Sequence, residues 1–543
     1  MLSKSFLCRA GPAATAAAAT SASKAVARRS FATAALAAGL RQTTRTMPLR
    51  AKILAPVQLS LRANMSNATN TSDTLWKPQA GDEPEDVLFG NLYGLRTIIL
   101  NRPAKYNSLN ASMIRKIGPR LQAWETSDMA NVVVLKGAGD KALCAGGDVT
   151  ALAEANMRGP EGQAWSADYF ALEYKLDHLI ATYEKPYVAF MDGITMGGGV
   201  GLSIHAPFRI ATERTVFAMP ETNIGFFPDV GASFFLPRMP GAVGTYLALT
   251  SERLTGVNAF YAGVATHYLH STSLPALEAR LAELRFKDTD ERDARLDIVN
   301  ATIEEFVTGL PHDQPMQLAG DVRRAIDRCF GHNSVAAIVA ALEAEAAGTG
   351  TGTGNSNEAT KAWATKTLAT LQNRSPTSVH VALRLMRVGR EWTITEAFQR
   401  EHQIAARFMR HPDFTEGVSF LLIRKEKQGR PQWQPPTLAD VDPSGAITEP
   451  FFVPAGASPE DPEPLQMLNT RGYSEYPHAR LGVPSEDVVE ALVRSGTKTQ
   501  REVVNELVGK TRGKQGVKEV VEEIVARKTT KDERGKAVWV DEP

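Results

Sequence analysis

The chain has 543 residues, 43% of them hydrophobic and 22% charged, the balance of a folded globular protein. Three cysteines and no run of about 20 apolar residues exclude disulfide-scaffolded and integral-membrane classes. Ten lysines and arginines precede the first acid, Asp73, so a chain of net charge +1 has a remainder that carries −9. Such a remainder is a poor match for a DNA backbone, and neither DNA nor a membrane is expected as a partner.

Residues 1–72 are rich in Ala, Ser, Thr and Arg and hold no acid, the composition of a mitochondrial transit peptide followed by a disordered segment. The run Arg28-Arg29-Ser30-Phe31-Ala32 resembles a processing site, and the expected destination is the mitochondrial matrix. Cys8 would leave with this leader. Cys144 and Cys329 are too far apart in sequence to suggest a disulfide framework or a metal site.

Residues 73–436 read as one α/β domain. Runs at 97–100, 132–135, 187–191 and 208–211 are β-branched or apolar and predict strands. Between the first two, residues 111–124 place Met113, Ile114, Ile117 and Leu121 on one helical face, with Asn110 as N-cap. Beyond about residue 241 helical patterns dominate, broken by a Gly-Thr loop at 348–354. A proline-rich stretch, 437–484, predicts a linker or wrapping arm. Residues 485–543 form a helical extension: Ser485 would cap one helix, Thr499 and Glu502 have capping-box spacing, and Val517, Val520, Val521, Ile524 and Val525 make a third stripe. Its Lys498, Arg501, Lys510, Arg512, Lys514 and Lys518 suit either a solvated face or a ribosome-facing one. The chain up to Pro436 is expected to stand alone.

Three segments carry candidate chemistry. Cys144-Ala145-Gly146-Gly147-Asp148 and the glycine-rich 193–201 each follow a strand. Two such ends can turn backbone N–H groups towards one carbonyl oxygen, although a triple glycine also suits a tight turn. The third segment, 218–231, carries Glu221 and Asp229 among apolar residues, Gly and Pro. Two acids in such a setting can take different pKa values, one as base and one as acid; an N-cap or an ion pair is the other reading. No histidine lies near Cys144 in sequence, so that cysteine reads as packing, and His205 as a core or helix residue.

Together these segments resemble the enoyl-CoA hydratase/isomerase (crotonase) superfamily. The resemblance implies an α/β fold: a crotonase-like spiral of ββα units, a C-terminal helical region and, here, the small helical extension. It places the oxyanion-hole donors on Gly147 and Gly198, and the coenzyme A entrance at 101–109, with the family's lysine shifted one place to Lys105. Segments 262–267, 375–378 and 413–418 resemble the branch that hydrolyses 3-hydroxyisobutyryl-CoA in valine breakdown. For that acyl-CoA substrate the resemblance implies Glu221 as general base or nucleophile and Asp229 on the 3-hydroxyl or the leaving thiolate. Glu173 would line the acyl pocket, so that Glu173, Gly198, Glu221 and Asp229 bind substrate. No metal or redox cofactor is implied, coenzyme A being part of the substrate. Hydratase members carry a second glutamate at the place of Gly201, whereas dienoyl-CoA isomerases share a Glu…Asp pair and remain an alternative. So does a component of the mitochondrial small ribosomal subunit, since fungal relatives of this branch occur there.

Overall fold

Val132-Val133-Val134-Leu135 has no polar side to turn towards water, so it fits only a strand covered on both faces. A computed structural model describes residues 75–350, 357–441, 445–454, 456 and 461–541, and all four of these side chains are buried in it. The expected leader, its processing site and part of the Gly-Thr loop lie outside the described residues.

Six strands form the main sheet: β1 (Val87–Leu92), β2 (Leu95–Leu100), β3 (Val132–Gly137), β5 (Tyr187–Met191), β7 (Phe208–Ala211) and β10 (His267–Tyr268), in that spatial order. Only the β1–β2 pair is antiparallel. Between β2 and β3 runs α1 (Ala111–Thr126), capped by Asn110, whose side chain accepts the Met113 N–H, with the four expected apolar residues buried.

Each of three main-sheet strands is followed by a short strand of a second sheet: β4 (Ala142–Cys144) after β3, β6 (Ile194–Met196) after β5 and β8 (Val216–Ala218) after β7. These three run parallel, and β9 (Leu254–Thr255) closes the sheet antiparallel to β8. Strand, strand, helix is thus the repeating unit. After β4 come α2 (Val149–Asn156) and α3 (Pro160–Ala181); after β6 comes α4 (Gly198–Ile204). The second sheet escapes a sequence reading because three residues are too few to show a period of two.

The described residues of the stretch 437–484 form a wrapping arm rather than a free linker. Phe451 and Leu465 belong to the main core, and the rings of Tyr473 and Tyr476 meet Phe234 edge-on. The body is therefore not closed at Pro436. The extension contains helices Glu486–Arg494, Gln500–Lys510 and Val517–Lys528 and a hairpin. Thr499 and Glu502 form the expected capping box, whereas Ser485 makes no side-chain cap. Val489, Val503, Leu507, Val521 and Val525 give the extension its own core. Charge pairs tie it to the body: Glu486 to Arg323 at 3.2 Å and Lys514 to Glu304 at 2.5 Å. Lys514 is thus buried against the body rather than part of a free basic face, while Arg501, Lys510, Arg512 and Lys518 are exposed. No helix among the described residues is long and apolar enough to cross a membrane.

Candidate active site

The parallel neighbours β4 and β6 end side by side, and glycines follow both. Leu109 forms an isolated parallel bridge with Gly147: its N–H donates to the Gly146 carbonyl and its carbonyl accepts from the Asp148 N–H, each at 2.8 Å. With those groups engaged, the N–H of Gly147 itself points to the other side. Gly198 is the first residue of α4, so its N–H has no intrahelical partner. A Cβ built on Gly198 would stand 3.4 Å from the Gly147 nitrogen and only 2.5 Å from Glu173 Oε1. The two amides and Glu173 therefore share one small space that admits only glycine.

Glu221 opens a single 3-10 turn, Glu221–Ile224, just past β8. It is 4% exposed, and its Oε2 meets no hydrogen-bond partner. Its Oε1 lies 3.3 Å from where a Cβ on Gly197 would stand, which places the carboxylate beside the Gly198 amide. Asp229 arrives from the following loop and accepts from the Tyr174 hydroxyl at 2.7 Å. Glu173 and Tyr174 are neighbours on α3. The structure thus gathers Gly147, Gly198, Glu173, Glu221 and Asp229, from four separate stretches of chain, around one point. At the rim, Lys105 pairs with Asp148 at 3.2 Å and is 59% exposed, a cation at the mouth beside Gly147.

Burial is the first cause that lifts these acids. It raises Glu221 well above the carboxylate range, with Asp229 adding to the effect, and raises Glu173 likewise. Asp229 is pushed up to about 7 although the Tyr174 hydroxyl opposes the shift. Desolvation thus favours the protonated form of Glu221 and Glu173 more than in an ordinary carboxylate, while Asp229 is left the most readily ionised of the three.

Sequence reasoning missed three contributors. Tyr174 is one. Asp177, one turn beyond Glu173 on α3, is fully buried with both oxygens unpartnered. Its Oδ2 stands 2.4 Å from a Cβ built on Gly201, and Val230 Cβ stands at 2.8 Å. A glutamate at 201 would collide with both, so Asp177 fills the space beside the position where hydratase members carry their second acid. The third is Glu401, on the helix Ile394–Arg410. It accepts from the Gly231 N–H at 2.7 Å and the Ser233 N–H at 2.9 Å. These bonds hold the Asp229 loop, where Val230 sits at φ 54°, a strained value for a β-branched residue. The signal available in sequence was an acid on an otherwise apolar helix face at Glu401; Asp177 shares its face with Glu173 and gives no such signal.

His205 is buried and also braces this loop, with Nε2 2.9 Å from the Val230 carbonyl; burial lowers it to about 4. Cys144 is fully buried, and burial pushes its thiol up to about 12. Both positions fit the packing roles expected of them.

The family described as Enoyl-CoA hydratase/isomerase matches residues 95–452, well over half of the chain. The chain belongs to the enoyl-CoA hydratase/isomerase family. Small ribosomal subunit protein mS47 of Neurospora crassa is 54% identical over 490 residues, covering 90% of this chain and 92% of its own length. A mitochondrial 3-hydroxyisobutyryl-CoA hydrolase of Gallus gallus is 40% identical over 375 residues, 69% of this chain and 90% of its own. Among solved structures, a carnitinyl-CoA dehydratase from Mycobacterium thermoresistibile shares 32% identity at a TM-score of 0.58, covering 69% of this chain and 98% of that one. The crotonase-type α/β fold expected from the resemblance is the fold observed.

In this crotonase-type framework Glu401 gives a pH-dependent stability. Burial raises it to about 8, against about 4.3 in an unfolded chain. The folded state therefore binds a proton that the unfolded state releases. The resulting stabilisation is present in full below the unfolded pKa and is lost as pH rises towards 8. The stability advantage of the wild-type chain over Glu401→Gln is expected to shrink by at least ~1 kcal/mol between about pH 5 and about pH 8, measured by urea unfolding. An advantage independent of pH would mean that Glu401 is ionised throughout.

Proposed function

We propose that this chain hydrolyses 3-hydroxyisobutyryl-CoA to 3-hydroxyisobutyrate and coenzyme A, a step of valine breakdown in the mitochondrial matrix. The observation that carries this reading is the convergence of Glu221 and Asp229 on the two free glycine amides. Gly147 and Gly198 N–H groups would take the thioester carbonyl oxygen as it becomes negative. Glu221, once deprotonated, acts as base for a water or attacks the carbonyl carbon itself. The C–S bond breaks and the thiolate takes a proton; where Glu221 has attacked, a water then cleaves the acyl anhydride and restores its carboxylate, and the acid and coenzyme A leave. Asp229 serves the substrate's 3-hydroxyl or the departing thiolate, and Glu173 lines the acyl pocket. The reaction as proposed uses no metal and no redox cofactor.

Protein lacking residues 1–72 is expected to release coenzyme A from 3-hydroxyisobutyryl-CoA. Asp229→Asn should slow this ester more than isobutyryl-CoA by at least ~10-fold, because a site built to bond a hydroxyl discriminates through it. Isomerisation of a dienoyl-CoA without release of coenzyme A would assign the chain to the isomerase reading instead. Equal losses on both esters would move Asp229 to leaving-group assistance.

A second role, as a component of the mitochondrial small ribosomal subunit, is supported by the longest match above. Likeness to the ribosomal protein covers 90% of the chain against 69% for the hydrolase, so it reaches beyond the catalytic body. The exposed bases of the extension suit such a contact. The full chain is expected to co-sediment with the small subunit through a sucrose gradient and to lose that association when residues 485–543 are removed. Free migration of the full chain at the top of the gradient sinks this role while leaving hydrolysis untouched.

A further inference from the structure

The extension and the body do not close completely on each other. Between them lies a cavity of about 600 Å³, within the range that takes small organic ligands and at the kind of junction where such sites occur. Its wall is mostly apolar: Ile204, Phe235, Val243 and Val264 come from the body, Val520 and Ile524 from the extension.

Arg238 Nε and Arg527 Nη1 in that wall lack hydrogen-bond partners but face carboxylates at 3.6 and 3.7 Å, whereas Arg209 and His478 have unused polar atoms and no carboxylate among the described residues. Arg209, on β7, donates to the carbonyls of Val264 and Ala206 at 2.7 Å and, weakly, to that of Gly263 at 3.4 Å. A guanidinium has five N–H donors, so two remain. Every other cation in the wall faces a carboxylate: Arg323 and Arg527 face Glu486, Arg480 faces Asp297, Lys510 faces Glu506 and Arg238 faces Glu475. Arg209 pairs with none among the described residues. Beside it is His478, from the wrapping arm. It is 3% exposed, yet neither ring nitrogen has a hydrogen-bond partner. Burial and the nearby charges of Arg209 and Arg292 hold this ring neutral, so it offers one N–H and one acceptor nitrogen.

An uncompensated guanidinium next to an unpartnered imidazole is costly in a half-closed apolar space. An anion with an apolar body answers both groups and the wall together. We propose that this cavity binds a small aliphatic carboxylate, its carboxylate held by the free donors of Arg209 and the N–H of His478 and its hydrocarbon part laid against Phe235, Val243, Val520 and Ile524. Body, arm and extension all contribute to the site, so the bound acid fastens the three together. This site is separate from the acyl-CoA site and does not depend on the reaction proposed there.

Hexanoate is the probe, added to the full chain and followed by saturation-transfer NMR and thermal unfolding. Hexanoate is expected to bind and to raise the Tm, and hexanamide, which lacks the charge, to bind at least ~10-fold more weakly. Ala479→Trp, at an exposed position on the cavity wall, should abolish binding by filling the space. Arg209→Gln should weaken it at least ~10-fold; should that variant not fold, Ala479→Trp and the amide comparison decide. Excess coenzyme A should leave the hexanoate signal unchanged. The proposal is overturned by absence of binding, by equal binding of the amide, by full binding to Ala479→Trp, or by displacement with coenzyme A.

Discussion

Glu221→Gln is expected to lower kcat for thioester hydrolysis by at least ~10² while changing the affinity for the coenzyme A ester little. The amide has nearly the shape of the carboxyl group but can neither take a proton from water nor attack a carbonyl carbon. Glu221 Oε2 has no protein partner, so the substitution breaks no hydrogen bond at that atom and leaves the fold in place. Burial first, and Asp229 second, hold the wild-type group protonated well above the carboxylate range. Activity of the wild-type chain should accordingly rise with pH as Glu221 gives up its proton, and the residual activity of the variant should lack that limb. Steady-state rates across the pH range, with ester affinity measured by calorimetry, provide the test. A variant that kept most of its kcat would reduce Glu221 to a packing residue.

Gly198→Ala is expected to cost a further large factor, on the order of 10²–10³ in kcat/KM, the scale of losing one oxyanion donor. The added methyl would stand 2.5 Å from Glu173 Oε1 and 3.3 Å from Leu109 Cδ2. Contact at 2.5 Å is not tolerated, so either Glu173 leaves the pocket or the first turn of α4 retreats with its N–H. Both movements pull apart the pair formed with Gly147. Leu109 is itself tied to the Gly146 and Asp148 backbone, so the strain reaches the second donor as well. Rates and Tm measured together separate this from unfolding, since the collision is confined to the site. An alanine variant of ordinary rate and ordinary Tm would mean that the thioester carbonyl is held elsewhere.

Much of the framework was legible in the order of residues because its causes are local. The strand at Val132–Gly137, the helix under Asn110 and the capping box of Thr499 and Glu502 each depend on side chains within a few positions of one another. The same holds for Gly146 and Gly197, whose positive φ favours glycine, and for Gly199, where a Cβ would stand 2.3 Å from the Cys144 carbonyl oxygen: the demand is written into the residue itself. Glu221 and Asp229 stood out because carboxylates among Phe, Pro and Gly are conspicuous in any order.

What the tertiary structure alone decided has no local cause. Nothing near Asp229 announces that Tyr174 will bond to it from 55 residues away, or that Glu401 will hold the following turn from 168 residues away. Asp177 reads as an ordinary helix residue until α3 is laid against Gly201. Lys514 belongs by sequence to a basic, solvated stretch, yet Glu304, 210 residues earlier, draws it into the body. The arm at 437–484 lacks periodicity because its aromatic rings are spaced to fit a surface made by other segments rather than a helix or sheet of its own. Periodicity and caps are short-range physics and survive in one dimension; the carboxyl cluster, its braces and the cavity at Arg209 are made by surfaces that exist only once distant segments meet.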